Sequence, residues 1–146
     1  MKTSQNGINL IKQFEGVFLK PYLCPANKPT IGIGSCYYED GTKVKMTDKP
    51  ITEERALSLL ATTLVNYEAI VKGSIKVPLN QNQFDALVSH TYNTGGSKTL
   101  FELVNRHTGD EAIRTWFETK YTHGAGKLLP GLVRRRKAEA DLYFKK

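Results

Sequence analysis

The chain has 146 residues, the length of one ordinary domain, and its 40% apolar and 24% charged content excludes a largely disordered polymer. Lysine and arginine number 21 against 14 acids, a formal charge of +7. That balance favours an anionic partner (nucleic acid, a membrane surface or a negatively charged polymer) or serves only solubility.

The first predicted element covers residues 4–14, SQNGINLIKQF, where Ile8, Ile11 and Phe14 recur at helical spacing behind a Ser4 cap. Gly16 stops it and leaves Glu15 at the helix C-terminus. Residues 17–46 change character. VFLKPYL and TIGIGSCYY are rich in β-formers around the turn PANKP, and TKVKM alternates after a second turn, EDGT. This reads as an antiparallel sheet of about three strands. Thr52 then caps a helix opened by Glu53 and Glu54, with Leu57, Leu60, Leu64 and Val71 along one face to about Lys72. A second helix follows a cap near Asn80, turns Phe84, Leu87 and Val88 inward and ends at Gly95-Gly96. Shorter helices are expected over 98–106 and 110–119, where Trp116 and Phe117 read as core. KYTHGAGKLLPG reads as a loop flexible at Gly124 and Gly126, and Pro130 opens the last helix. Asp85 and Asp110 read as helix-start charges. The expected class is α+β: a small sheet lobe over about 17–50 beside a larger helical lobe over about 75–146 plus the N-terminal helix. A long helix joins them, and a cleft lies between.

The most apolar run, ALSLLATTLV at 56–65, is far short of the ~20 residues of a membrane span. The opening MKTSQNGINLIKQFEG lacks the apolar core of a secretory signal, so synthesis in the cytosol is expected. Cys24 and Cys36 make no disulfide scaffold and are expected as free thiols. His90, His107 and His123 are scattered, no metal-ligand spacing occurs, and neither metal nor cofactor is expected.

Glu15 stands among Phe14, Val17, Phe18 and Leu19, apolar neighbours of the kind that keep a carboxyl protonated for acid catalysis. Alone it is more often a solvated charge. The spacing adds more: eight residues separate Glu15 from Cys24 and five separate Cys24 from Thr30. This resembles the E-x8-D/C-x5-T pattern of phage-type lysozymes, the endolysin muramidases of glycoside hydrolase family 24. NGINLIKQFEG is similar to the family's opening helix, PTIGIGS to its P-T-I-G-x-G-H strand, VPLNQNQFDALVSHTYNTG to its central helix and LLPGLVRRRKAEADLY to its closing arginine segment.

The resemblance implies a lysozyme-like fold and hydrolysis of the β-1,4 bond between N-acetylmuramic acid and N-acetylglucosamine in bacterial peptidoglycan, causing host-cell lysis. Glu15 becomes the proton donor. Cys24 takes a slot usually held by Asp, and Thr30 orients the attacking water or holds the second group. As a thiolate, Cys24 is a base toward water, with inversion, or a nucleophile, with retention; otherwise it is a tolerated substitute. Ser35 replaces the family's His, read as a matter of stability. Gly32 and Gly34 alternate with Ile31 and Ile33 for close approach of a sugar or for tight packing. Of the run Arg134, Arg135 and Arg136, one arginine is expected to turn toward the acid, Arg135 or Arg136 by helical spacing. Asn93 is expected to face substrate or Glu15. Lysis further implies a holin for export, a monomer, no nucleic acid and no stable membrane insertion, with the protein in the host cytoplasm until lysis. The rival readings are a lytic transglycosylase giving 1,6-anhydro products, a peptidase built on Cys24 and His90, and a basic binding module without turnover for cell wall or nucleic acid.

Overall fold

The structure is a computed structural model describing residues 1–146. In chain order it has α1 (Gln5–Glu15), β1 (Phe18–Leu23), β2 (Pro29–Gly32), α2 (Glu53–Ser74), α3 (Gln81–Thr94), α4 (Lys98–Asn105), α5 (Asp110–Thr119), β3 (His123–Gly124), β4 (Lys127–Leu128) and α6 (Pro130–Tyr143). Two compact units result, Ile11–Val65 and Met1–Leu10 with Asn66–Lys146, so the boundaries fall inside α1 and α2. No helix is long and apolar enough to cross a membrane.

In the first unit, β1 and β2 pair antiparallel with Phe18 opposite Gly32, Tyr22 opposite Thr30 and Leu23 opposite Pro29. The expected third strand does not form. TKVKM contributes one isolated bridge, Tyr37 to Lys43, and only Val44 of it is buried. Side chains hold this segment instead of a ladder. Asp48 accepts from the Tyr38 hydroxyl and the Lys45 amide, each at 2.8 Å, and Arg55 pairs with Glu39 at 3.2 Å. TIGIGS does not continue as a strand either. Gly32 and Gly34 take φ of +70° and +80°, and Ile31 and Ser35 exchange backbone bonds of 2.8 and 3.0 Å across the resulting tight turn. Left-handed backbone of this kind favours glycine. Both Ile31 and Ile33 lie in the core at 0% exposure, and Leu59, Leu60 and Leu64 of α2 are buried too. Burial of Leu57 is only partial.

Helix α2 starts where the sequence places it, with the Arg55 amide donating to Thr52 Oγ1 at 3.1 Å. Helix α3 carries a complete capping box. The Gln83 amide donates to Asn80 Oδ1 at 2.8 Å and the Asn80 amide to Gln83 Oε1 at 2.9 Å. Its other end closes on Gly95 at φ 87°, the amide donating to the Thr91 carbonyl. Between these caps residues 84–91 are all buried, so α3 is the central helix of the second unit, enclosed on every side. It packs chiefly on α6, which carries α5, which carries α4.

Four expectations in this unit are corrected. Ser4 opens α1 by its carbonyl, which accepts from Ile8, but its hydroxyl and amide both donate to the buried Asp85 carboxylate. Asp85 is therefore a latch for the chain's start rather than a helix-start charge. Glu68 does the same for Thr3, accepting from its amide at 2.8 Å and its hydroxyl at 2.6 Å. Trp116 is only half-buried, and Phe117 alone is core. The expected loop at 120–131 contains a hairpin, β3–β4, whose turn residues Ala125 and Gly126 both have positive φ, 52° and 78°. That is the type I′ geometry that suits a two-residue hairpin turn.

Candidate active site

Glu15 is the last residue of α1, and Gly16, at φ +76°, ends the helix with its amide on the Lys12 carbonyl at 2.9 Å. Glu15 itself is half-buried. Its expected apolar surround is partial: Phe14 and Val17 are half-buried, while Phe18 and Leu19 keep 44% and 41% of their surface in solvent.

The thiol of Cys24 sits where β1 enters the turn to β2. The Cys24 amide donates to the Lys28 carbonyl at 3.0 Å and the Asn27 amide to the Cys24 carbonyl at 2.7 Å, with Asn27 at φ 62°. This tight turn aims backbone N–H groups at the sulfur. The Lys28 amide first, then the Thr30 hydroxyl and the Ala26 amide, hold the Cys24 thiol below its ordinary pKa against the opposing effect of desolvation. Backbone amides can lower a thiol's pKa in this way without a neighbouring cation.

Thr30 is buried on β2, and its Oγ1 donates to the Lys28 carbonyl at 2.9 Å and lies 3.7 Å from Cys36 Sγ. A hydroxyl has one proton and two lone pairs. It can therefore turn that proton from the Lys28 carbonyl to the Cys24 sulfur as the thiol ionises. Both cysteines are free, as expected.

Tyr22 is a member of this cluster that the sequence did not single out. It is paired across the ladder with Thr30 and two residues before Cys24, so all three side chains lie on one face of the ribbon. Burial, then the charges of Glu15, Cys24 and Cys36, push its phenol above the ordinary value. The Tyr22 phenol is therefore close enough to Glu15 and to both cysteines to feel their charges. Strand alternation was the available signal for it. Gly32 is buried, and a Cβ there would stand 3.3 Å from Ala56 Cβ, which is tight packing on α2. Ser35 is fully buried and its hydroxyl has no hydrogen-bond partner.

In the other unit, Arg135 and Arg136 are both buried, where the sequence expected one inward arginine. Glu139, at 0% exposure, explains the second. It accepts from Arg135 Nε at 3.3 Å, from Arg136 Nη1 and from Ser89 Oγ at 2.6 Å. Arg136 also donates to the Tyr121 carbonyl at 3.1 Å and to Asn93 Oδ1, so Asn93 is joined to this network although it is exposed. Burial raises the Glu139 pKa, and the Arg136 and Arg135 charges oppose that rise. His90 is 1% exposed, edge-on to Phe117 and Tyr121, and pushed down to about 3 by burial, then by Arg136 and Arg135. A histidine so enclosed is a neutral packing residue, which removes the general base from the peptidase reading. No three His, Cys, Asp or Glu side chains come together to hold a metal ion.

A family model described as phage lysozyme matches residues 12–139. The chain belongs to the phage lysozyme family. It is 35% identical over 150 residues to an endolysin of Acyrthosiphon pisum secondary endosymbiont phage 1, across 98% of each chain. It is 37% identical over 148 residues to an endolysin of Bacillus phage B103, spanning 99% of this chain but only 54% of that one. The solved endolysin from Escherichia coli O157:H7 phage FAHEc1 superposes with a TM-score of 0.87 at 36% identity, over 99% of this chain and 94% of that one. The phage lysozyme fold thus extends along the whole chain, and its reaction class is that of a lysozyme, a hydrolase.

Proposed function

We propose that the chain is one catalytic domain over 1–146 that cleaves the β-1,4 bond between N-acetylmuramic acid and N-acetylglucosamine in peptidoglycan and lyses the host of a phage. The reading is supported by the match of residues 12–139 to the phage lysozyme family, with Glu15, Cys24 and Thr30 in one compact unit and the Cys24 thiol held below its ordinary pKa. Glu15 donates a proton to the glycosidic oxygen. Cys24, as thiolate, activates water or attacks the anomeric carbon, and Thr30 holds it by hydrogen bond. Water activation inverts the anomeric centre and covalent attack followed by hydrolysis retains it. Asn93, exposed and held by Arg136, serves substrate binding, whereas Arg135 is buried on Glu139 and Ser89 and braces that network rather than touching sugar. The +7 charge suits an anionic wall polymer.

Mass spectrometry of digested, purified peptidoglycan tests the reaction. Muramic acid with new reducing ends is expected. 1,6-Anhydro products would make the chain a transglycosylase, and unchanged wall would leave only a binding module. The monomer acts on the wall after a holin opens the inner membrane. Cytoplasmic expression should leave cells intact until that membrane is permeabilised, and spontaneous lysis would overturn the holin requirement.

A further inference from the structure

An aromatic pair flanks the catalytic groups and the mechanism above does not use it. Phe18 opens β1 three residues after Glu15, and its ring folds back over Gly16, where an added Cβ would meet Phe18 Cε2 at 3.1 Å. The ring centroids of Phe18 and Tyr22 are 4.3 Å apart with the planes tilted by 38°. Tyr22 in turn stands opposite Thr30 and shares its face with Cys24. At that separation the rings lie against each other, so Tyr22 backs Phe18 and the outer face of Phe18 is left open beside the end of α1. Phe18 keeps 44% of its surface in solvent, so its ring can be reached by a ligand from outside. The bulge in the ladder between Phe18 and Tyr22 accounts for the stack, because it bends β1 and brings the two rings together.

We infer that the Phe18–Tyr22 pair is a positioning platform on which the apolar face of one hexopyranose ring of the glycan strand rests, beside Glu15 and Cys24. A pyranose presents axial C–H bonds on one face and hydroxyls around its rim. An aromatic face, negative at its centre, meets the C–H side, while the rim stays hydrated. Orienting the ring this way sets the scissile oxygen against the acid without making a bond that changes in the transition state. Phe18 thus contributes mainly to binding rather than to the chemical step.

The inference rests on the muramidase reading, and its test separates the two. Soluble glycan strands, released from peptidoglycan by an amidase, serve as substrate for wild type, Phe18→Ala, Phe18→Leu and Phe18→Trp, with Glu15→Gln as control. Phe18→Ala should raise KM roughly two- to tenfold with kcat within about twofold, the signature of lost uniform binding. Phe18→Leu, apolar but without a ring, should resemble Phe18→Ala, and Phe18→Trp should retain wild-type KM. Thermal unfolding should fall by only a few degrees in Phe18→Ala and Phe18→Leu, the cost of losing the stack on Tyr22, too little to unfold the enzyme at the assay temperature. A Phe18→Ala or Phe18→Leu enzyme with wild-type KM overturns the platform alone. Wild type that produces no new reducing ends overturns the muramidase reading itself.

Discussion

His90 makes the stability of this protein fall in acid. It is buried in the second unit, faced by Phe117, Tyr121, Arg135 and Arg136, and its pKa is pushed from 6.5 to about 3. The unfolded chain therefore binds a proton that the folded chain refuses. Stability contributed by the neutral imidazole is complete above pH 6.5 and is lost progressively as pH falls from there toward about 3. Linkage puts the loss between pH 7 and pH 4.5 at about 2 to 3 kcal/mol for this one group. The assay is urea unfolding of wild type and His90→Phe at the two pH values. Phenylalanine keeps both edge-on ring contacts and cannot titrate. Its repacking cost is common to both pH values and cancels in the difference, as do the carboxylates. The acid-induced loss should be smaller in His90→Phe by about 2 to 3 kcal/mol. Equal losses in the two proteins would refute the claim that His90 is held neutral.

Three other predictions follow from single contacts. Alkylation of Cys24 in a Cys36→Ser background should show a pH midpoint below that of a free thiol, and Thr30→Val should move it upward, because the hydroxyl can no longer donate to the sulfur; a midpoint unmoved by Thr30→Val removes that hydrogen bond. Glu139→Gln removes the buried carboxylate on which Arg135 and Arg136 converge and should cost about 3 to 5 kcal/mol by denaturant unfolding. Gly32→Ala should cost about 1 to 2 kcal/mol from its positive φ alone, more with the Ala56 contact, while leaving KM on soluble glycan unchanged. A KM shift in the refolded variant would instead place that glycine at the sugar.

What the sequence made legible was local chemistry. Thr52, the Asn80–Gln83 box, Gly95 and Pro130 act within one turn of their own helix, so composition alone located each end. The Glu15, Cys24 and Thr30 spacing was readable for the same reason, since a helix end and one hairpin connect all three. What was missed depends on partners far along the chain. The Ser4 hydroxyl went to Asp85, 81 residues away, and burial of the second arginine required Glu139 and Ser89 together. TKVKM alternates as a strand should, yet its segment is tied by Tyr38 and Asp48 rather than by a ladder. The β3–β4 hairpin has strands of two residues, too short for any periodicity to register. Phe18 and Tyr22 were invisible as a pair because strand spacing alone does not bring their rings within 4.3 Å; the bulge does.

The central claim is that Glu15 and the Cys24 thiolate together cleave the glycan. Its most direct measurement is the rate of reducing-end release from purified peptidoglycan by wild type, Glu15→Gln, Cys24→Ala and Cys24→Asp. Loss of turnover in Glu15→Gln, a deep loss in Cys24→Ala and recovery in Cys24→Asp are the results expected. Full lytic activity in Glu15→Gln would contradict the account, whatever the cysteine variants do.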